Sequence, residues 1–467
     1  MARRKGLLMK TLSLKWIAER IEASFSSKFD SENTITGIAF DSRKVKKGDL
    51  FFALQGERDG HDYIEAAIAK GAEAVVISKD VAEDINKLVV EDTLFALGDL
   101  AKAYREMFDV MIIGITGSVG KTTTREMSRK VLEGSFQTIS SPSNYNNLIG
   151  LPMTLFEIEE DTEIAICELG INQPGEMERL VEIANPQIGI ITRIAPVHLE
   201  KLMTMENIAK EKVKLFKIVN DNDGACIYSL DDPLLDRMSE PYHGNRTTFG
   251  VKNDADFYAD HIAISNDGQV KFKVDGNLVN LRIPGIHNVY NALAAYALAR
   301  ELGISGIEIA GRLSGYRGFA NRLEKIEIAN ITFIDDCYNA NPYSMKAGIS
   351  TMISLQAERR VAIFADMLEL GEKEIQFHEE IIEYALSAGL DKIFLYGELF
   401  DRAFKNIKTQ REDSINETII VSQQNAKKLQ ESIIEEIRPG DLVLFKGSRI
   451  MNLDKILKNI VDAKENK

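Results

Sequence analysis

The sequence feature that most constrains the fold is a glycine-rich segment at residues 114–124, which reads GITGSVGKTTT. An apolar run, Val110–Ile115, precedes the loop, and a helical pattern begins at about Lys121. A strand, a glycine loop and a helix in this order form the context of a phosphate-binding loop. In such a loop, backbone N–H groups and the helix dipole bind phosphate oxygens. The segment therefore predicts a parallel α/β domain that binds a nucleotide.

Within this loop, Lys121 is expected to reach the outer phosphates, and the Thr122 hydroxyl is expected to hold a magnesium ion. Because Ile115 stands where the usual GxxxxGK[ST] spacing has glycine, the loop is a variant, GxTGxxGKTT. Kinases, motors, GTPases and ligases share such loops, so the loop alone does not define a reaction. The predicted phosphate-binding residues are Gly117, Ser118, Val119, Gly120, Lys121, Thr122 and Thr123.

Length and composition bound the class of protein. A chain of 467 residues exceeds a single hydrophobic core and predicts about three domains. The net charge of -14 argues against a broad nucleic-acid or membrane surface, which would need a basic face. Three widely spaced cysteines without a CxxC pair indicate reduced thiols. We therefore expect a cytoplasmic monomer that does not bind nucleic acid.

The sequence contains neither the pattern of a secretory signal nor that of a membrane-spanning helix. Residues Met1–Lys10 carry positive charge but lack the roughly 7–15 apolar residues of a secretory signal. No stretch approaches the roughly 20 apolar residues that a membrane-spanning helix requires. We therefore predict neither a signal peptide nor a membrane span.

The distribution of apolar runs predicts three α/β domains, over residues 1–106, 107–317 and 318–467. The first is a small α/β domain with a helical stretch near 63–70. The second is a doubly wound parallel sheet, because its strands form continuous apolar runs. The third alternates strands with helices and is Rossmann-like. The predicted strands of the first and third domains are Thr36–Asp41, Leu50–Leu54, Ala74–Ser78, Ile331–Asp335, Val361–Asp366, Ile393–Tyr396, Ile419–Val421 and Leu442–Phe445.

The central domain is predicted to carry an attached antiparallel sheet. Four segments with alternating polarity follow its parallel strands, as expected for strands that bury one face. These segments are Thr247–Val251, Phe257–Ile264, Val270–Val274 and Val279–Ile283.

Two polar residues follow apolar runs of the central domain and are candidate metal ligands. Glu168 lies at the end of Ile164–Leu169, and His198 follows Ile188–Ile194. A carboxylate at the carboxyl end of a parallel strand, beside a phosphate loop, can bind the magnesium of a nucleotide. Structural roles remain open for both residues. Lys212 by pattern looks like one charge on a solvated helix face.

Several of these features together resemble the central domain of the Mur ligases. The resemblance covers the variant phosphate loop, Glu168, His198 and three short segments. The three segments are NYNN at 144–147, IAKEK at 208–212 and GIHNVYNA at 285–292.

Further motifs resemble, more narrowly, the branch of the family that adds D-alanyl-D-alanine to UDP-N-acetylmuramoyl-tripeptide. The matches occur in family order from about residue 36 to residue 453. They are DSR at 41–43, FFALQGERDGH at 51–61, DDCYNANP at 335–342, DMLELG at 366–371 with His378, and GD and KGSR at 440–441 and 446–449.

The resemblance implies one domain for the UDP-sugar, one for ATP and a mobile third domain that completes the active site. It implies that Glu168 and His198 bind magnesium, two ions in all, and that Lys212 is carbamylated and binds metal. It also assigns Asn288 and Asn291 to adenine, and Arg322 and Asp336 to ATP. It assigns Ser42 and Arg43 to the uridine diphosphate end of the substrate. The full set of predicted substrate-binding residues is Ser42, Arg43, Asn144, Asn146 and Asn147.

The predicted reaction is ATP-dependent formation of an amide bond through an acyl phosphate. One alternative is a sister ligase with another amine substrate, such as a tripeptide-forming Mur ligase or folylpolyglutamate synthase. A second is a phosphate-loop NTPase that couples hydrolysis to movement or regulation. A third is a non-enzymatic binding module. The third residue of the acceptor peptide is either diaminopimelate or lysine.

Overall fold

The structure is a computed structural model that describes residues 9–25, 30–79, 81, 85–142, 144–242, 244–319, 322–410 and 419–465. Residues 1–8, which belong to the segment predicted not to be a signal peptide, lie outside this part of the chain. None of the helices in the described ranges is both long and apolar enough to cross a membrane. The three predicted α/β domains are confirmed, each built on its own sheet. Their exact boundaries remain predictions.

The N-terminal domain is built on a parallel sheet of four strands. Its elements are β1 (Leu12–Ser13), α1 (Leu14–Arg20), β2 (Thr34–Ile35), β3 (Gly37–Ala39), β4 (Asp49–Phe52), a 3-10 turn (Gly60–Tyr63), α2 (Ile64–Ala69), β5 (Ala74–Ile77), β6 (Asn86–Val89) and α3 (Thr93–Arg105). Strands β3 to β6 pair in chain order, and β1 pairs with β2 in a separate antiparallel ribbon. Strand β5 is completely buried, which is why its sequence is a continuous apolar run.

The central domain contains a nine-stranded sheet. Its elements are β7 (Met111–Thr116), α4 (Lys121–Leu132), β8 (Thr138–Ser140), α5 (Gly150–Leu155), β9 (Ile164–Glu168), α6 (Glu176–Ala184), β10 (Ile188–Ile191), α7 (Leu199–Leu202), α8 (Met205–Asp221), β11 (Ala225–Ser229), α9 (Pro233–Ser239), β12 (Asn245–Gly250), β13 (Phe257–Ile264), β14 (Val270–Val274), β15 (Asn277–Leu281), α10 (His287–Glu301) and α11 (Gly306–Ser314). The strand order is β15-β14-β13-β12-β11-β10-β7-β9-β8.

One part of the predicted antiparallel sheet is wrong. Strands β13, β14 and β15 pair antiparallel, as expected. Strand β12, predicted as Thr247–Val251, instead runs parallel to both β11 and β13. It therefore extends the parallel sheet, and all nine strands are continuous. Alternating polarity indicates one buried face but carries no information on strand direction.

The C-terminal domain contains five parallel strands with one antiparallel strand, β16, at the edge. Its elements are β16 (Glu324–Ile328), β17 (Ile331–Asp336), α12 (Pro342–Ser354), β18 (Arg359–Ala365), a 3-10 turn (Gly371–Lys373), α13 (Glu374–Ser387), β19 (Lys392–Tyr396), α14 (Glu398–Gln410), β20 (Ile419–Gln423), α15 (Ala426–Glu436), β21 (Asp441–Lys446), a 3-10 turn (Arg449–Met451) and α16 (Leu453–Glu465). The strand order is β16-β17-β21-β18-β19-β20. Separate hydrophobic clusters on the two faces of the sheet give the predicted Rossmann-like layering.

Sheet topology determines where functional groups meet in the central domain. Strand β7 pairs with β9 on one side and with β10 on the other. The connection after β7 leads to strands on one side of it, and the connection after β9 leads to β10 on its other side. Ligands bind at such a reversal of strand order in open α/β sheets. The phosphate loop, Glu168 and His198 all follow these three strands and lie at their carboxyl ends.

Candidate active site

A cleft of about 570 Å³ lies between the central and C-terminal domains. Most of the predicted site residues line it. Four of the predicted residues do not belong to its lining: Ser42, Arg43, Gly117 and Lys212. The predicted residues that meet in the cleft are Ser118, Val119, Gly120, Lys121, Thr122, Thr123, Asn144, Asn146, Asn147, Glu168, His198, Asn288, Asn291, Arg322 and Asp336.

Two glycines shape the phosphate loop because their backbones are in conformations that side chains disfavour. Gly117 has φ 146° and Gly120 has φ 87°. A Cβ at Gly117 would lie 2.0 Å from Thr192 Oγ1, and the Thr192 hydroxyl donates to the carbonyl of Val119 at 2.6 Å. The Lys121 ammonium donates to the Gly117 carbonyl at 2.7 Å. The lysine is therefore held across the loop, where it can turn toward a phosphate.

Glu168 is the centre of a buried polar cluster beneath this loop. Its carboxylate accepts hydrogen bonds from Thr122 Oγ1 at 3.1 Å and from Asn146 Nδ2 at 3.0 Å. Arg125 Nη1 forms an ion pair with Glu168 Oε2 at 3.0 Å, and both side chains are buried. The cluster fixes the Glu168 carboxylate next to the hydroxyl of the phosphate-loop threonine.

Arg125 is a site residue that the sequence analysis missed. It follows Lys121 and Thr122 by four and three positions, which places it on the same face of α4. Its guanidinium also pairs with Glu126, and it is completely buried. The helical spacing from the loop lysine is the signal that points to this residue.

The C-terminal domain contributes an arginine, an aspartate and a tyrosine to the cleft. Arg322 Nη2 donates to Thr122 Oγ1 at 3.3 Å, although 200 positions separate the residues. The Arg322 guanidinium also lies 4.0 Å from the centre of the Tyr338 ring. Asp336 forms a buried ion pair with Lys446 at 2.6 Å. The neighbouring Asp335 accepts instead from the Cys337 N–H at 3.0 Å, and of the two aspartates it is Asp336 that lines the cleft.

Asn288 and Asn291 lie at the start of α10 and connect that helix to the phosphate loop. Asn291 Nδ2 donates to Asn288 Oδ1 at 3.0 Å, and Asn291 Oδ1 accepts from Thr124 Oγ1 at 3.3 Å. A Cβ at Gly120 would lie 2.5 Å from Asn291 Oδ1. Both asparagines are therefore oriented by internal contacts at the edge of the cleft.

His198 pairs with a carboxylate from the other domain. Its Nδ1 is hydrogen-bonded to Oε2 of Glu369, which follows β18 in the C-terminal domain. This contact lowers the pKa of Glu369, and partial burial opposes the shift. No hydrogen bond to Nε2 of His198 is seen within the described ranges. That nitrogen remains available on the cleft side.

Lys212 is buried. The interpretation of its sequence pattern as one charge on a solvated helix face is therefore wrong. It is 1% exposed on α8, and no ion pair joins it to another described residue. Burial, and then the charge of Lys121, hold its pKa well below the usual range, while Glu211 opposes the shift. Glu211 is occupied elsewhere: it accepts from the Gly175 N–H at 2.8 Å and from Lys214 Nζ at 2.7 Å. Burial therefore disfavours the charged form of Lys212.

Two histidines that the motifs singled out have structural roles. His378 Nε2 accepts from the Met367 N–H at 2.9 Å, and its Nδ1 donates to the Glu374 carbonyl at 2.6 Å. His61 likewise accepts from the Ser78 N–H and pairs with Asp59. Both rings use both nitrogens internally, so neither is available to a ligand.

Two of the predicted substrate contacts lie in the N-terminal domain, away from the cleft. The Arg43 guanidinium forms a two-point ion pair with Asp41, both distances being 2.9 Å. The side chain of Arg43 is largely exposed, and Ser42 is half-buried. Asn147, in the cleft, has a local role as well. Its Oδ1 accepts a hydrogen bond at 2.9 Å from the N–H of Gly150, the first residue of α5.

The residues at the loop fit a magnesium ion that a nucleotide shares. Thr122 and Glu168 supply hydroxyl and carboxylate oxygens, the hard ligands that magnesium prefers. Within the described ranges, no group of three His, Cys, Asp or Glu side chains is close enough to form a metal site alone. Phosphate oxygens would therefore complete the coordination, which is the usual arrangement for magnesium in nucleotide-binding enzymes.

Comparison with known proteins identifies the class. Residues 34–105 match the catalytic domain of the Mur ligase family, 115–299 the Mur ligase middle domain, and 321–449 the Mur ligase glutamate ligase domain. A protein of Bacillus subtilis (strain 168) is 35% identical over 463 residues, which is 97% of this chain and 98% of the relative. The chain belongs to the Mur ligase family. The relative in Bacillus subtilis is a UDP-N-acetylmuramoyl-tripeptide--D-alanyl-D-alanine ligase.

Solved structures agree over nearly the whole chain. Crystal structure I of MurF from Acinetobacter baumannii superposes with a TM-score of 0.90 at 28% identity, covering 97% of this chain and 99% of that one. The MurF ligase of Thermotoga maritima in complex with ADP gives a TM-score of 0.82 at 26% identity, covering 92% and 98%. The predicted three-domain fold is therefore that of this family.

Proposed function

We propose that this protein is the ATP-dependent ligase that adds D-alanyl-D-alanine to UDP-N-acetylmuramoyl-tripeptide in peptidoglycan precursor synthesis. The observation that carries the proposal is the cleft itself. It joins the phosphate loop and Glu168 of one domain to Arg322 and Asp336 of another. The sequence relationship to the Bacillus subtilis ligase over 97% of this chain supports the particular substrates.

The first chemical step is transfer of the γ-phosphoryl group of ATP to the tripeptide carboxylate, which forms an acyl phosphate. Two anionic groups must approach each other, so cations are required in the cleft. Lys121 and Arg322 provide positive charge from opposite domains, and both lie near Thr122. Lys121 exchanges its hydrogen bond to the Gly117 carbonyl for one to a phosphate. Magnesium, when bound at Thr122 and Glu168, would neutralise further phosphate charge.

The second step is attack of the neutral amine of D-alanyl-D-alanine on the acyl phosphate carbon, which releases phosphate. Water would compete as a nucleophile, so the reaction benefits from an enclosed site. Residues of the C-terminal domain line the cleft together with the phosphate loop, so both domains restrict the access of water. Holding three substrates in line also lowers the barrier by up to roughly 7–11 kcal/mol in favourable cases.

The remaining site assignments extend this scheme. Asn288 and Asn291 would contact the adenine, and Asp336 the ribose. Ser42 and Arg43 would bind the uridine diphosphate, and Asn144, Asn146 and Asn147 would be further substrate contacts. His198 would help to hold a second magnesium ion.

Lys212 is proposed to react with carbon dioxide to form a carbamate that binds magnesium. The supporting observation is that Lys212 is buried and has no hydrogen bond or ion pair with the residues that the structure describes, and burial holds its pKa well below the usual range. The neutral amine is the form that reacts with carbon dioxide.

The test is phosphate release from ATP with UDP-N-acetylmuramoyl-tripeptide and magnesium, with and without D-alanyl-D-alanine, followed by the mass of the product. We expect release that depends on the dipeptide and a product heavier by one dipeptide less water. The variant Lys121→Met should remove both signals. Release that ignores the dipeptide would contradict the assignment and indicate another amine substrate or an uncoupled NTPase.

A further inference from the structure

The contact between His198 and Glu369 joins two loops from different domains. Besides the side-chain hydrogen bond, the Glu200 N–H donates to the Glu369 carbonyl at 3.4 Å. Gly371 packs against the same backbone, because a Cβ there would lie 3.3 Å from Glu200 N. The pair therefore forms within a docked contact, and it exists only while the two domains are together.

Both residues of the pair have backbone conformations that side chains disfavour. His198 has φ 51° and Glu369 has φ 63°, both in the left-handed region. For a residue with a side chain this region costs about 1–2 kcal/mol. Each loop thus maintains an unfavourable conformation at the residue that reaches across the interface. Such conformations persist where the surrounding structure determines them, and they occur often at functional sites.

The pairing also sets the chemistry of the imidazole ring. A carboxylate can only accept a hydrogen bond, so Nδ1 is the donor of this pair, and Nε2 is the ring nitrogen without a partner among the described residues. His198 differs in this respect from His61 and His378, which use both nitrogens internally. Its side chain is 22% exposed and lines the cleft. The free nitrogen is the one that can bind a cation.

We propose that Glu369 is a positioning residue for His198, which orients the ring as a metal ligand only when the C-terminal domain is closed. The proposal rests on the proposed role of His198 in binding magnesium. Carboxylates that accept from a metal-bound histidine fix its ring and raise its basicity, and their loss typically weakens metal affinity 10- to 100-fold. Here the carboxylate comes from the other domain. Metal binding and domain closure are therefore coupled at this pair.

The experiment measures Mn²⁺ affinity by electron paramagnetic resonance in the presence of ADP, with the full-length chain. We expect Glu369→Ala to weaken the affinity about tenfold. Glu369→Gln should recover part of the loss, because its amide oxygen accepts the same proton without the charge. Glu372→Gln removes an exposed carboxylate of the same loop and should leave the affinity unchanged.

A double-mutant cycle with His198→Ala separates the two proposals. If Glu369 acts through His198, Glu369→Ala should have no further effect in the His198→Ala background. An equal loss in both backgrounds, or an unchanged affinity in Glu369→Ala alone, would overturn the positioning role. If His198→Ala itself leaves the affinity unchanged, the metal role of His198 fails instead, and the positioning role fails with it.

Discussion

At the scale of single residues, Tyr316 carries a buried polar atom without a partner. Its side chain is 7% exposed, it lines the cleft, and its hydroxyl has no hydrogen bond within the described part of the chain. Burial raises the pKa of this hydroxyl above its usual value. An unpaired hydroxyl loses its interactions with water on folding, at a cost of about 1–3 kcal/mol. We therefore predict that Tyr316→Phe leaves the free energy of unfolding unchanged or raises it by about 1 kcal/mol.

Urea denaturation of the ligand-free protein checks this prediction, with Tyr228→Phe as the matched control. The Tyr228 hydroxyl is also buried, but it donates to Asp236 Oδ1 at 3.0 Å. Removing it leaves a carboxylate oxygen without that bond and should cost about 1–3 kcal/mol. A loss of more than 1 kcal/mol in Tyr316→Phe would show that its hydroxyl has a partner in solution.

His378 makes stability depend on pH. Burial lowers the pKa of this ring to about 4, against 6.5 in its ordinary state, while the Glu374 carbonyl opposes the shift. Between pH 4 and pH 6.5 the unfolded state binds more protons than the folded state. The stability that the neutral His378 ring contributes is therefore complete above pH 6.5 and is lost as the pH falls toward 4. The expected loss is on the order of 2–3 kcal/mol.

The measurement compares thermal unfolding at pH 7 and pH 4.5 for the parent protein and His378→Gln. The variant is less stable at both values because two buried hydrogen bonds change. Its further loss on acidification should nevertheless be smaller than that of the parent. An equal loss in both proteins would mean that His378 does not titrate in this range.

At the scale of elements, the start of α14 depends on one carboxylate and one glycine. Asp366 accepts from the N–H groups of Leu399 and Phe400 at 3.1 and 2.9 Å, which satisfies two donors of the first turn. Gly397 has φ 117°, and a Cβ there would lie 2.2 Å from the Asp366 carboxylate. We predict that Gly397→Ala destabilises the C-terminal domain by about 3 kcal/mol, from backbone strain together with displacement of the cap.

Gly389→Ala is the control for backbone strain alone. Gly389 also has a positive φ of 69°, but a Cβ would meet no atom within 4 Å. It should cost about 1–2 kcal/mol. The urea midpoint of the C-terminal domain and hydrogen exchange of the α14 amides measure both variants. Equal effects would indicate that Asp366 moves without cost.

The sequence predicted those elements whose pattern is determined locally. Strands β7, β9 and β10 are buried on both faces, so each is a continuous apolar run. Strand β16 escaped detection because it is an edge strand with three exposed residues. Strand β11 was also missed. Because β12 pairs with β11, its parallel direction could not be predicted without that strand. Pairing partners and strand direction depend on the whole sheet rather than on one segment.

The candidate site was predicted where its residues follow strand ends or belong to motifs. The contacts between them were not predictable, because they join residues distant in sequence. Arg322 and Thr122 are 200 positions apart, and His198 and Glu369 are 171 apart. Lys212 shows the same limit, since the solvated helix pattern around it gave no sign that it is buried.

At the scale of the whole molecule, the domains are joined in two different ways. One hydrophobic cluster contains residues of both the N-terminal and the central domain, the first being Met9 and the last Leu235. The C-terminal domain has its own clusters, which begin at Leu323 and Ile331. Its described contacts with the central domain include the Arg322 bond, the His198 pair and the Arg193 guanidinium 4.7 Å from the Tyr343 ring. No hydrophobic cluster of the described residues spans the central and C-terminal domains. Domains without a large shared apolar interface are expected to move relative to each other, so the C-terminal domain is the one expected to move.

This organisation predicts that a nucleotide stabilises the C-terminal domain only through the residues that reach the cleft. With ADP and magnesium at 100 times the dissociation constant, binding stabilises the native state by about 2.7 kcal/mol. In the parent protein we expect both the central and the C-terminal unfolding transitions to shift upward in calorimetry. In Arg322→Ala the central transition should still shift, because the phosphate loop is intact, while the C-terminal shift should be largely lost. Arg317→Ala removes an exposed arginine five positions earlier in the chain and should behave as the parent. If Arg322→Ala retained both shifts, other contacts would transmit the binding energy, and Arg322 would not couple nucleotide binding to closure.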